Sequence, residues 1–256
     1  CSDYDKYPVA RAVAASAALP GAFSPIVLKN YAGQCENAGL PDWMKKALDK
    51  PDLTSRAYYN AMRLNTYLNP RTKPFVYLID GGVSDNLGVR GPLETMITRG
   101  YGRDLLRDAG FEETQKVVFL IVDAQTQGTS HWSILEEIPG LAMILDASST
   151  IMVNKFNFET IELLYRYAQD WTYIDKTRGM VPIDFYIIHI AFDALPDKNE
   201  REYFHKIPTS LRLSEEQVDR LREVAERILY SDQNFQRLVK NLGGKIPLSP
   251  VGKRGT

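Results

Sequence analysis

"PFVYLIDGGVSDNLG", residues 74–88, decides how the rest of the chain is read. Its first half is a near-continuous run of aromatic and β-branched residues, the composition of a strand covered on both faces. The run stops at an acid, Asp80; Gly81 and Gly82 follow, and then a polar turn with Asp85 and Asn86. Two further runs of the same kind, KVVFLIVDA at 116–124 and PIDFYIIHIAF at 182–192, are too short to span a bilayer and are interrupted by Asp or His. Between the first two, Pro92 opens a helix with Leu93, Met96 and Ile97 at helical spacing, so the order is strand, helix, strand. The chain therefore reads as an α/β protein with a layered core and a mostly parallel central sheet.

Outward from that core, PVARAVAASAAL at 8–19 predicts a helix with Pro8 at its first position and Pro20-Gly21 as its stop, its alanines allowing close packing. Residues 33–73 are polar and turn-rich and predict two short helices, one with Trp43, Met44, Ala47 and Leu48 on a face, the other with Tyr58, Ala61 and Met62. They form an insertion between core elements. A long, mostly helical segment runs from about Pro139 to Asp170. Ser214 with Gln217 makes a capping box ahead of a stripe of Val218, Leu221, Ala225, Ile228 and Leu229. One domain over 1–244 and a loose tail, KIPLSPVGKRGT at 245–256, complete the organisation.

Composition excludes several classes. The 256 residues are 44% hydrophobic and 25% charged, enough for one sizeable core and unlike a disordered chain. A net charge of −1 lacks the concentrated Lys and Arg excess that nucleic-acid binding by phosphate neutralisation needs. Any membrane contact would be peripheral, and nothing fixes a compartment; the cell envelope is compatible. Cys1 and Cys35 are too few for a disulfide framework, and no Cys/His cluster suggests zinc. A chain that begins with Cys reads as a fragment or a processed product, a mature lipoprotein being the lesser alternative.

Ligands of open α/β sheets bind beyond the carboxyl ends of strands, which is where Asp80 stands. Gly81 and Gly82 would admit backbone angles closed to other residues and let another backbone or a substrate come close. Asp85 and Asn86 would hold the turn by hydrogen bonds. A tight strand-to-loop turn with a capping acid accounts for the same residues equally well.

LIDGGVSDNLG at 78–88, together with VARAVAASAALPGAFSPI at 9–26 and IPTSLRLSEEQVDRLREVAERIL at 207–229, resembles the bacterial type of the patatin-like phospholipase family, over the later part of its domain. The resemblance implies a three-layer α/β/α domain whose N-terminal part is missing here, and a lipid acyl hydrolase with a Ser-Asp dyad and no metal or organic cofactor. Asp80 would be the base, accepting the serine proton directly, with Gly81, Gly82 and Asn86 shaping the site. The substrate would be a lipid or related acyl ester. The nucleophile belongs in G-x-S-x-G at a strand-to-helix elbow, and no such pentapeptide occurs in the sequence. The family's Gly-rich oxyanion loop is also absent, so the serine is expected before Cys1 and the fragment alone is expected to be a poor catalyst. Ser16, in AASAA, has alanines in place of both glycines and reads as a helix-packing serine.

Other constellations compete. Asp123 and His131 could serve a Ser-His-Asp triad, yet nothing places a serine elbow beside the loop QGTSHWS; His189 and His205 read as packing or hydrogen-bonding residues. Asp80 and Asp123 both close strands and could hold Mg²⁺ for phosphoryl transfer, although no Walker-type loop accompanies them. Trp43, Met44, Tyr58, Tyr59, Met62 and Tyr67 would form either a lid or lipid-facing patch, or a cluster buried under a long loop. A non-catalytic binding module on the same fold is the third class.

Overall fold

The computed structural model describes residues 4–20, 23–34, 39–98, 109–126, 140–208 and 212–246, with single positions between them (103, 106, 107, 138, 210). The chain divides into two compact units, 1–113 and 114–256.

In the first unit, α1 (Val9–Ser16) leads to β1 (Ile26–Lys29), a helical hairpin of α2 (Asp42–Asp49) and α3 (Arg56–Asn65), β2 (Phe75–Leu78), the single-turn α4 (Gly82–Asp85), and α5 (Arg90–Thr98). Strands β1 and β2 pair antiparallel, from Ile26 opposite Leu78 to Lys29 opposite Phe75. The two helices expected within 33–73 are both present. Ser55 Oγ accepts the Tyr58 N–H at 3.3 Å and starts α3. Met44, Ala61 and Leu93 are buried. α1 begins one residue later and ends earlier than its apolar pattern suggests, with Pro8 outside the helix as its cap. Ala15 and Ala18 pack inward as the alanine-rich run implies.

In the second unit, β3 (Lys116–Asp123) and β4 (Asp184–Ala191) run parallel in register over eight residues, Lys116 opposite Asp184 and Asp123 opposite Ala191. They are joined through the long α6 (Leu141–Thr177) and followed by α7 (Lys198–His205), α8 (Glu215–Ser231) and α9 (Gln233–Asn241). Helices cover both faces of β4. On one side Trp171 of α6 meets Phe185 edge-on at 5.4 Å between ring centroids. On the other, Ile188 and Ile190 join Phe204 of α7 and Val224 and Ile228 of α8 in the core cluster. The Ser214 capping box is present, Oγ accepting from Gln217 N at 3.2 Å and Gln217 Oε1 from Ser214 N at 3.0 Å. Val224, outside the expected stripe, is that helix's deepest residue together with Ile228, while Val218 is exposed.

The chain is thus mixed α/β with one parallel pair. Two expectations are corrected. Strand β2 pairs with β1 and not with a parallel neighbour, so the described strands form two separate two-stranded sheets. Apolar continuity suggested strands covered on both faces, and only β4 meets it: in β3 alternate residues Val118, Leu120 and Val122 are 44%, 57% and 64% exposed. The last strand of this pair is sealed by side chains of α9, and on β3 Ile121, on the face opposite the exposed row, is buried.

Candidate functional site

The last carbonyls of a helix have no partner within it. Those at the end of α1 are used by the turn after β2: Ser16 O accepts the Gly81 N–H at 3.1 Å and Ala18 O the Asp80 N–H at 3.0 Å. This is why the helix stops short. The chain must unwind at Ala17 and Ala18 for both carbonyls to face the Asp-Gly-Gly segment.

The turn then closes on Asp80 itself. Gly82 N donates to Asp80 Oδ1 at 2.7 Å, and Asp85 N donates to Gly81 O at 2.8 Å as α4 forms. Asp85 Oδ2 accepts from Gly91 N at 3.2 Å, tying the loop to the first turn of α5. A Cβ on Gly82 would lie 2.9 Å from Asp80 Oδ1 and 3.0 Å from Asn86 Oδ1, so any side chain there must displace that carboxylate or that amide. Close approach is therefore the role of Gly82. Unusual backbone angles are not: Gly81 sits at φ −62°, ψ −31°, and neither glycine has positive φ. The left-handed residue of this loop is Gly88, at φ 67°.

Asp80 is half-buried, with one carboxylate oxygen fixed by Gly82 and no partner for Oδ2 among the described residues. Asp85 holds the turn through its bond from Gly91 N, whereas Asn86 contributes by position, its Oδ1 and Asp80 Oδ1 flanking Gly82. Ser16 is brought to the same place. It is exposed, as the last residue of α1, and a Cβ on Gly81 would come 3.6 Å from its Oγ. Among the described residues no hydrogen bond joins that hydroxyl to Asp80.

Asp123 belongs to the other unit and is engaged separately. Its Oδ1 accepts from Gln125 N at 3.0 Å, and Oδ2 lies 3.4 Å from His189 Nε2. Behind them, buried Asn157 donates to Gln125 Oε1 at 3.1 Å. His189 is a hydrogen-bonding residue, as its place in an apolar strand implied. Its partner was not legible, although the register that sets Ile121 opposite His189 puts Asp123 on the same face two residues on. His205 Nε2 faces Asp193 Oδ1 at 3.3 Å at the end of α7. His131, Cys1, Cys35, Gly21 and Pro139 lie outside the described residues. Among the described residues no three His, Cys, Asp or Glu side chains come together as a metal-binding group.

The aromatic residues of 33–73 divide between the two expectations. Met44 is buried and Trp43 and Tyr58 are half-buried, whereas Tyr59, Met62 and Tyr67 are exposed. No described helix is long and apolar enough to cross a membrane.

Fold and site together define an α/β protein that presents a half-fixed aspartate beyond the end of a short strand, beside a glycine whose Cβ position that carboxylate crowds. No family model matches the chain, and neither the curated proteins nor the solved structures contain a match.

Proposed function

We propose that this chain carries the base of a serine-dependent acyl hydrolase acting on lipid or related esters, within a three-layer α/β/α domain of the patatin-like type. The observation that carries the reading is the Asp80 carboxylate: Oδ1 is held by the Gly82 N–H at 2.7 Å while Oδ2 has no partner among the described residues. A base that works without a histidine must be oriented by backbone and must keep one oxygen for its proton donor. Asp80 meets both requirements.

The chemistry follows. As a serine oxygen bonds to the ester carbonyl carbon, Asp80 Oδ2 takes the hydroxyl proton; the alcohol leaves with that proton as the C–O bond breaks, and an acyl-enzyme remains. Water then attacks the acyl carbon, passing a proton through the same carboxylate and releasing the acid. The serine is proposed to lie on a part of the protein preceding Cys1, since these residues contain no G-x-S-x-G. Membrane contact would be peripheral.

The test is labelling of the naturally produced protein with a fluorophosphonate probe, followed by peptide mapping. Label on a serine upstream of Cys1, lost in an Asp80→Asn variant, is expected. Label on Ser16 would move the nucleophile into α1, which the proximity of its Oγ to Gly81 makes the specific alternative. A folded product that takes no label would overturn the hydrolase reading.

A further inference from the structure

The outer side of α3 and of the 3-10 turn after it (Thr66–Leu68) carries a surface that ester hydrolysis itself does not require. Tyr59, Met62, Arg63 and Thr66 to Tyr67 recur at helical spacing along one stripe. Tyr59, Met62 and Tyr67 of that stripe are each between 41% and 53% exposed. Ala61, on the opposite side of α3, is buried; Asn60, beside Tyr67 on the helix, donates to Glu94 at 3.2 Å, and Asn60, Arg63, Tyr67 and Glu94 line one cavity at the edge of the stripe.

Two cations are held over the exposed rings. Arg63 lies 5.5 Å from the Tyr59 ring centroid, and Lys73 Nζ lies 4.0 Å from that of Tyr67. Neither has a carboxylate partner among the described residues, in contrast to Arg56, which sits 3.8 Å from Glu94. Lys73 also donates to Thr66 Oγ1 at 2.7 Å. The arrangement is fixed from beneath, since Asn30 Nδ2 donates to Tyr67 O at 2.7 Å and to Lys73 O at 2.9 Å. The surface therefore needs little ordering on contact.

Tyrosine rings suit the boundary between headgroups and acyl chains, and uncompensated cations beside them suit a continuous sheet of phosphates. We propose that this face docks the protein on an anionic phospholipid bilayer, with Tyr59, Met62 and Tyr67 entering the boundary and Arg63 and Lys73 meeting lipid phosphates. The proposal rests on the lipid-hydrolase reading for its biological sense, but docking needs no turnover, so either can fail while the other holds.

The experiment is co-sedimentation of the 256-residue protein with phosphatidylcholine vesicles, with and without phosphatidylserine. Binding is expected only to the anionic vesicles. It should weaken as salt rises from about 0.1 M to about 1 M, which shortens the screening length from roughly 10 Å to 3 Å. Arg63→Gln with Lys73→Gln should lower the partition constant about thirtyfold, from the usual contribution of each juxtamembrane cation. Tyr59→Ser with Tyr67→Ser should lower it as well, and if that pair fails to fold by circular dichroism the cation pair decides alone. Lys198→Gln with Lys206→Gln, an equal charge loss in the second unit, should leave binding within about twofold. Equal binding to neutral vesicles, no binding to anionic ones, or an equal loss in the control pair overturns the proposal. Self-association that disappears with Tyr59 and Tyr67 would assign the face to a second copy instead.

Discussion

At the residue scale, Asp80 and Gly82 act as one unit, because the carboxylate oxygen that orients the acid is the atom a side chain on Gly82 would strike at 2.9 Å. Asp80→Asn keeps an oxygen able to accept the Gly82 N–H, so its melting temperature should stay close to that of the parent. Hydrolysis by the complete protein should fall at least about a thousandfold, within the range for loss of a positioned base. Near-normal turnover would end the dyad assignment. Gly82→Ala should behave differently, lowering stability by about 1–3 kcal/mol in denaturant titration as Asp80 and Asn86 are pushed aside, and lowering turnover with it. The Asp-Gly-Gly string marks the position of the turn but not which glycine is crowded. That depended on where Asn86 Oδ1 falls in three dimensions.

At the element scale, the parallel pair shows how an edge is closed. Strand β4 turns its free carbonyls toward α9, where Asn234 Nδ2 donates to Ile187 O at 2.8 Å and Arg237 donates to Phe185 O and, at 2.7 Å, to Asp184 Oδ1. Tyr186 joins the same clasp, donating to Asp184, accepting from Asn241 at 2.7 Å, and lying 4.2 Å beneath the Arg237 guanidinium. Arg237→Ala should cost about 1–2 kcal/mol of unfolding free energy, a charge-assisted interaction discounted for partial exposure. Ser214→Ala, which removes the cap of α8, should cost about 1 kcal/mol.

Burial, reinforced by its bond to Asp184, raises the Tyr186 phenol above its ordinary value. The sign follows from the folded state holding its proton more tightly than the unfolded one. The stabilisation is complete below the unfolded pKa of roughly 10 and is lost as pH rises through the folded value. Thermal melts should therefore show stability falling above about pH 10, and Tyr186→Phe should flatten that fall. The α8 cap was legible in Ser214 and Gln217 alone, because a capping box is a local device three residues long. The Arg237 clasp was not, since it joins residues more than fifty positions apart.

At the scale of the whole molecule, the uneven cover of β3 has a measurable consequence. Val118, Leu120 and Val122 form an exposed apolar row beside the buried Tyr186, Ile188 and Ile190 of the paired strand. A surface of that kind binds apolar probes and promotes association. The folded chain is expected to enhance anilinonaphthalene sulfonate fluorescence, and Leu120→Thr with Val122→Thr to reduce it; an unchanged signal would mean the row is covered in solution. The amino-acid sequence by itself determined the apolar strands, the helix between Pro92 and Ile97, the two helices of 33–73, the Ser214 cap and the acid that ends the first run. Each of these rests on interactions within a few residues, or on a periodicity that local backbone geometry imposes. Only the tertiary structure decided that β2 pairs with β1, that α1 yields its last turn to Asp80 and Gly81, that Asp123 meets His189, and that Tyr59 and Tyr67 face outward. Those outcomes depend on which distant backbone donors and acceptors find one another, and on which apolar faces are covered first, and neither is encoded at any single position.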